Sequence, residues 1–361
     1  MTASRKDDHV RHAVSQQRDA GPNDFDSVTF VHHALAGIDG DDVSLAVDVI
    51  GKRWDTPLFV NGMTGGSEHT GEINRQLAIA ARETGIPIAS GSMSAYFRDP
   101  SVAGTFRVLR QENPHGFVMA NVNATATLDE VRRAIDLLEA DALQIHLNAV
   151  QEIVMPEGDR SFGSWAHQIE HITANTPVPV IVKEVGFGLS RPTVAWLRDA
   201  GVAVADVGGR GGTNFARIEN DRRPTADFSF LKDWGQSTPN CLVDCAGVTG
   251  IDLFASGGIR SPLDIARALA LGANATGVAG RFLETLVSRG TDALVEMIRT
   301  WLDQLRQILT VLGASRPADL AGSDLLITGD VAAFCRLRGI DPASYAHRNL
   351  WWNESDRRNR P

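Results

Sequence analysis

The chain has 361 residues, 43% of them hydrophobic, enough for one large domain or two ordinary ones around a substantial core. A net charge of −9 and a pI near 5.6 argue against a nucleic-acid partner, so any affinity for phosphates has to come from a few placed cations and backbone amides. The polar N-terminus and the lack of a long apolar run set aside a secretory signal and a membrane span. Cys241, Cys245 and Cys335 form neither a disulfide framework nor a zinc pattern, which fits a reducing cytosol.

At the start of the chain, Arg5, Lys6, His9, Arg11 and His12 form a small basic cluster, read either as an arm folding over an anionic ligand or as a mobile tail. Val43, Leu45, Val47 and Val49 then alternate with other residues, the pattern of a half-buried strand that closes the bottom of a barrel or belongs to a satellite hairpin. From Pro57 onward, short apolar or β-branched runs recur, each followed by a turn and a helix-period segment. They are PLFVNGM, IPIASGS, FVMANV, ALQIHL, VPVIVKEV, VAVADVGG, LFASGG and ATGVAG.

Eight such units predict an α/β fold, a single (β/α)8 barrel, over residues 57–345. Residues 1–56 form an N-terminal extension that starts with this basic cluster and carries a strand or strands packing on the barrel, and residues 346–361 form a polar tail whose Arg357, Arg358 and Arg360 are given no role. Helix starts are legible in Thr127 with Glu130 and in Ser261 with Pro262, and helix stops in Gly85, Gly201 and Gly272. The connection after the sixth strand, residues 210–252, exceeds the roughly 15 residues beyond which loops usually carry function or structure of their own. A last long helix, with Leu294, Ile298, Trp301, Leu305 and Leu309 on neighbouring turns, packs on the barrel wall.

Active sites in such barrels lie at the C-terminal ends of the strands, and polar residues collect there. The first strand ends in Gly62, Met63, Thr64, Gly65 and Gly66, either a bed for a flat ligand or a tight turn; the second ends in Gly91 and Ser92, the third in Asn121 and Asn123. The fourth runs into His146, Asn148, Gln151 and Glu152, a substrate side unless Glu152 only caps a helix and His146 is a core residue. Lys183 ends an apolar run, where an ammonium needs an anion, an electron-rich ring edge or an ion pair with Glu184. The seventh and eighth strands end in Gly257, Gly258, Ile259, Arg260 and in Ala279, Gly280, Arg281, each before a helix, which is the phosphate signature of a barrel. One carboxylate, Glu152, suits Mg2+ only when substrate phosphates share the ion.

The segments RKDDHV, NGMTGGS, LQIHLNAVQEIVMPEGDRSF, VIVKEVGFG, GGRGGTNFARIEN and ASGGIR closely resemble type II isopentenyl diphosphate isomerases. The resemblance runs from Arg5 to the helix after Gly280. It implies interconversion of isopentenyl and dimethylallyl diphosphate, redox-neutral overall, with FMN, Mg2+ and NADPH as flavin reductant. FMN would then contact Gly62, Met63, Thr64, Ser92, Asn121, Lys183, Thr213, Gly257, Gly258, Arg260, Ala279 and Gly280. The diphosphate would meet Arg5, Lys6, Ser94, His146 and Asn148, with Gln151 near the allylic carbons and Glu152 holding Mg2+. The catalytic group it implies is Gln151, His146 and Lys183, with the reduced flavin taking a central part in proton transfer. It further implies a cytoplasmic homo-oligomer, a tetramer or octamer. The segment Ser92-Met93-Ser94-Ala95 departs from many relatives, which carry glutamine and often arginine there.

Two rival classes are weighed against this. An FMN hydroxy-acid oxidase or dehydrogenase needs a histidine base late in the barrel, and beyond His171 the chain has only His347. A flavin-binding protein without catalysis would keep the flavin contacts and lose Arg5, Gln151 or Glu152, all of which are present.

Overall fold

The computed structural model describes residues 2–18, 21–225 and 227–348, with residues 2–5 and Arg18 described by backbone alone. Eight parallel strands close into the expected barrel: β1 (Leu58–Val60), β2 (Ile88–Ala89), β3 (Val118–Asn123), β4 (Ala142–Leu147), β5 (Val180–Glu184), β6 (Val204–Asp206), β7 (Asp252–Ser256) and β8 (Ala275–Val278). Each strand pairs with the next, and β8 returns to β1 through Thr276 opposite Leu58. The expected caps form: Thr127 and Glu130 make a capping box, and Ser261 accepts from the Asp264 N–H with Pro262 at the first helical position.

The strand alternation sorts the barrel interior into layers. At the N-terminal end Phe59, Ala89, Met119, Ala142, Ile181, Val204, Phe254 and Ala275 form one apolar layer. Two residues further along most of these strands stand Asn61, Asn121, Gln144, Lys183, Asp206 and Ser256, all buried and all polar. The interior is therefore oily below and hydrogen-bonding above.

The alternating segment in the N-terminal extension yields a strand only from Val47. Val47–Val49 pairs antiparallel with Lys52–Trp54. Val43 and Leu45 join the outer core instead, because the Ser44 N–H is taken by the carbonyl of Ser315. The hairpin does close the bottom: Val49 and Trp54 pack on the apolar layer, with the Trp54 ring 5.5 Å from Phe254 and 6.0 Å from Phe59. Trp54→Ala should cost about 3–5 kcal/mol, the usual penalty for emptying a large aromatic site, read as a lower urea midpoint at unchanged slope.

Two further elements were not expected from the sequence. Val28–Phe30 pairs antiparallel with Leu325–Ile327, tying the extension to the far end of the chain. Thr2–Arg18 is a helix of 17 residues, where the sequence offered only an arm or a mobile tail. The long connection after β6 is organised by the helices Phe215–Asp221 and Thr238–Cys245. Among the described residues no helix is long and apolar enough to cross a membrane. Most of the C-terminal tail, with Arg357, Arg358 and Arg360, lies outside the described residues.

Candidate active site

The C-terminal ends of the strands open into one cavity of about 390 Å³, within the range of small-molecule sites. Its wall includes Gly62 and Met63 from β1, Ser92 and Ser94 after β2, and Asn121 from β3. His146, Asn148, Gln151 and Glu152 come from β4 and the helix Ala149–Val154, and Lys183 from β5. Thr213, Gly257, Gly258, Arg260, Ala279 and Gly280 complete the opposite side, and Lys6 reaches in from the N-terminal helix.

Two expected contacts stand apart. Thr64 is buried behind the wall, its Oγ1 without a hydrogen-bond partner and its carbonyl accepting from Gly91 N–H and Asn74. The side chain of Arg5 lies outside the described residues.

The β7–β8 side is shaped for an anion. Gly257 and Gly258 hold φ of +90° and +80°, and a Cβ on Gly257 would lie 2.0 Å from the carbonyl of Gly209, so only glycine forms this turn. Among the described residues the helix Gly280–Arg289 begins without a side-chain cap, and the first-turn N–H groups of a helix favour an anion. The Gln17 amide and the Thr213 hydroxyl converge on Gly280. Arg260, by contrast, is already engaged by Asp26 at 2.6 Å and Asp264 at 2.9 Å, which hold its guanidinium well above the ordinary arginine range. Its charge is shared before any ligand arrives.

Lys183 donates to the carbonyl of Glu184 at 2.9 Å rather than to the Glu184 carboxylate, whose Oε2 accepts from the backbone N–H groups of residues 185 to 188. The ion pair weighed for Lys183 is thus not formed with Glu184. Burial lowers the Lys183 ammonium from its ordinary value, against the attraction of Asp206 and Glu184. His146 Nδ1 donates to Asn121 Oδ1 at 2.8 Å, and burial, with Lys183 and Lys6 nearby, takes its imidazole down to about 3.

Gln151 donates to Glu219 Oε1 at 3.0 Å, and His9 meets the same oxygen at 2.9 Å while Arg222 grips Oε2. Burial raises the Glu219 carboxyl, but hydrogen bonds from His9 and Gln151 and the Arg222 charge reverse this and bring it to about 2. Glu219 stands inside the RIEN segment and was not singled out from the sequence, nor were Asn61, Gln144 and Asp206. The N-terminal helix is held over the mouth from both sides: Asp7 accepts from Ser67 at 2.8 Å, and Gln16 takes the Asn214 N–H at 2.7 Å. Glu152 accepts from Asn148 at 2.9 Å and from the Asp159 N–H at 2.8 Å.

A family model described as FMN-dependent dehydrogenase matches residues 109–327. Over 359 residues the chain is 77% identical to an isopentenyl-diphosphate delta-isomerase of Nocardia farcinica, covering 99% of each chain. The chain belongs to the type II, FMN-dependent isopentenyl-diphosphate delta-isomerases. It is an isomerase, as the resemblance in its motifs implied. Isomerases of the same name from a Streptomyces species and Listeria innocua are 60% and 44% identical, over 96% and 95% of this chain and 96% and 97% of theirs. Among solved structures, an (S)-mandelate dehydrogenase chimera superposes with a TM-score of 0.65 at 18% identity, covering 88% of this chain and 96% of that one. A mandelate oxidase gives 0.61 at 17%, over 90% and 98%. At such identity the likeness shows the barrel fold alone.

Proposed function

We propose that this isomerase interconverts isopentenyl and dimethylallyl diphosphate with reduced FMN and Mg2+, NADPH serving as reductant. The observation that carries the reading is that one cavity has two sides suited to anions, three to four strands apart around the barrel. At β7–β8 lie the glycine turn and the uncapped helix start; at β4 lie His146, Asn148 and Lys6. The first side fits the FMN phosphate, and Gly62, Met63, Ser92 and Asn121 line the path between for the ring system. The second fits the substrate diphosphate.

The residues present also fit the metal. Among the described residues no group of three acidic or metal-ligating side chains occurs, so a cage made by protein alone is not offered. Mg2+ commonly takes one carboxylate together with substrate phosphates and water, and Glu152 supplies that carboxylate at the cavity wall. Moving a double bond needs a proton delivered to one carbon and withdrawn from another inside a dry site. FMN, when bound and reduced, supplies acid–base chemistry at its ring. Lys183 would then stabilise negative charge on the flavin, Gln151, held by Glu219, would serve the reacting carbons, and the N-terminal helix would exclude water. We further assign the chain a cytoplasmic setting and a homo-oligomeric state.

The test is direct: protein with FMN, Mg2+ and isopentenyl diphosphate is assayed for dimethylallyl diphosphate with and without NADPH. Product under reducing conditions alone supports the reading, and no product despite bound, reducible FMN overturns it. Glu152→Gln should raise the Mg2+ concentration needed for half-maximal rate by at least about tenfold, the lower end of what loss of even an outer-shell partner costs, while the protein stays yellow. A Mg2+ titration that superposes on the wild type would remove the metal role.

A further inference from the structure

Asp206, fully buried at the end of β6, accepts from Ser256 Oγ at 2.7 Å, Asn61 Nδ2 at 3.0 Å and the Gly208 N–H at 3.3 Å. Carboxylate oxygens so engaged fix the direction of the Asn61 amide, which turns its nitrogen to Asp206 and its Oδ1 away. That oxygen accepts from the Gly62 N–H at 2.9 Å and faces Gln144 Nε2 at 3.5 Å. Gln144 Nε2 also faces the Met119 sulfur at 3.8 Å, a second acceptor on the same side. Its Oε1 is therefore turned to Asn121 Nδ2 at 3.0 Å, and Asn121 presents Oδ1 to His146 Nδ1 at 2.8 Å. An amide oxygen carries no hydrogen, so the proton of this last bond belongs to Nδ1.

We propose that this relay of fixed polarity makes Asp206, Asn61 and Gln144 positioning residues that hold His146 as its Nδ1–H tautomer. An unprotonated Nε2 then serves the cavity, and a diphosphate docking there enters together with a proton from the medium. The inference rests on the diphosphate reading above. Phosphate oxygens accept hydrogen bonds, and so does a bare Nε2; two acceptors cannot meet without a proton between them. Burial and two facing cations, Lys183 from β5 and Lys6 from the N-terminal helix, keep the ring neutral while no anion is near, against a hydrogen bond to the backbone of Val122 on β3, which favours a protonated ring. Asn121 from β3 is neutral, and Asn148, on the same segment as His146, is neutral as well. A diphosphate brings the negative charge that reverses this balance, and Nε2 then becomes a charged donor. The sign follows: the contribution of the ring to affinity is greatest at low pH and falls as pH rises through the value of the ring in the complex.

The test uses the oxidised holoenzyme with Mg2+ and isopentenyl diphosphate, titrated calorimetrically at about pH 7, near the unperturbed histidine value, in buffers of different ionisation enthalpy. The slope of heat against buffer enthalpy counts protons. Wild type should take up as much as about one proton per site beyond His146→Gln, whose amide nitrogen occupies the Nε2 position and donates without titrating. Gln144→Met, which keeps the volume and removes the midpoint of the relay, frees the Asn121 amide to turn over and should lose most of that difference. If it fails to fold, the comparison of wild type with His146→Gln still decides. Equal proton counts in those two proteins overturn the inference. Failure of wild type to bind is a separate result, and overturns the diphosphate reading on which it stands.

Discussion

Lys183→Met is expected to lower kcat by about 10²–10³-fold, the range found when one preorganised donor to a developing negative charge is removed. The protein should nevertheless fold, and the apoprotein should melt no lower than wild type. The reason lies in what surrounds the ammonium: its side chain is buried, its hydrogen-bond partner is a carbonyl, and it forms no ion pair with Glu184. A charge so placed costs desolvation without full repayment in the empty site, and an apolar chain of similar length removes that cost. Asp206 keeps its three donors in the variant. A joint loss of activity and of melting temperature would mean that Lys183 is structural. Retention of kcat would remove it from the reacting centre. A spectroscopic readout separates the cases further: if Lys183 meets the flavin as proposed, its loss should favour the neutral over the anionic form of the reduced flavin, seen in its absorbance as pH is varied.

The position of Lys183 also shows what the sequence made legible. Reading VPVIVKEV as a buried strand already placed a lysine at its C-terminal end, and the period of two then puts it inward, because Ile181 faces the apolar layer. The same count applied to FVMANV, ALQIHL and VAVADVGG places Asn121, Gln144 and Asp206 in the polar layer. Asn121 is marked by its place at a strand end; Gln144 and Asp206 are not, since each lies inside an apolar run where one polar residue resembles a tolerated exception. The physical signal was present, in that a buried amide or carboxylate requires partners and the register supplies them from neighbouring strands. The N-terminal helix was less accessible. Its sequence, TASRKDDHVRHAVSQQR, has little apolar content, and only its docking over the barrel mouth buries Val10, Ala13 and Val14. Pairing of Val28–Phe30 with Leu325–Ile327 joins segments almost 300 residues apart, and three-residue strands carry no pattern long enough to announce such a partner.

Glu219→Gln should separate the support of the site from its chemistry. The carboxylate holds His9 of the N-terminal helix and Gln151 of the β4 segment on one oxygen and Arg222 on the other. Its pKa of about 2, against 4.5 for an ordinary glutamate, means that the folded state favours the ionised form. The stability linked to that preference is therefore present above about pH 4.5 and lost as pH falls through about 2. The variant lacks the titrating group, so at pH 7 it should be less stable by about 3 kcal/mol, and the difference should shrink on acidification between those values. Urea unfolding across that window measures it, and a constant difference would show that the loss is one of packing. In the enzyme assay the neutral amide still offers Gln151 an acceptor but holds His9 and Arg222 less firmly. KM should rise more than kcat falls, because the helix over the mouth is loosened while the reacting groups remain. Glu219→Leu also removes the acceptor of the Gln151 amide nitrogen and leaves the side chain held only by Asn148 at Oε1, and there kcat should fall as well. Equal kinetic effects in the two variants would indicate that orientation of Gln151 by this carboxylate plays no part in the reaction.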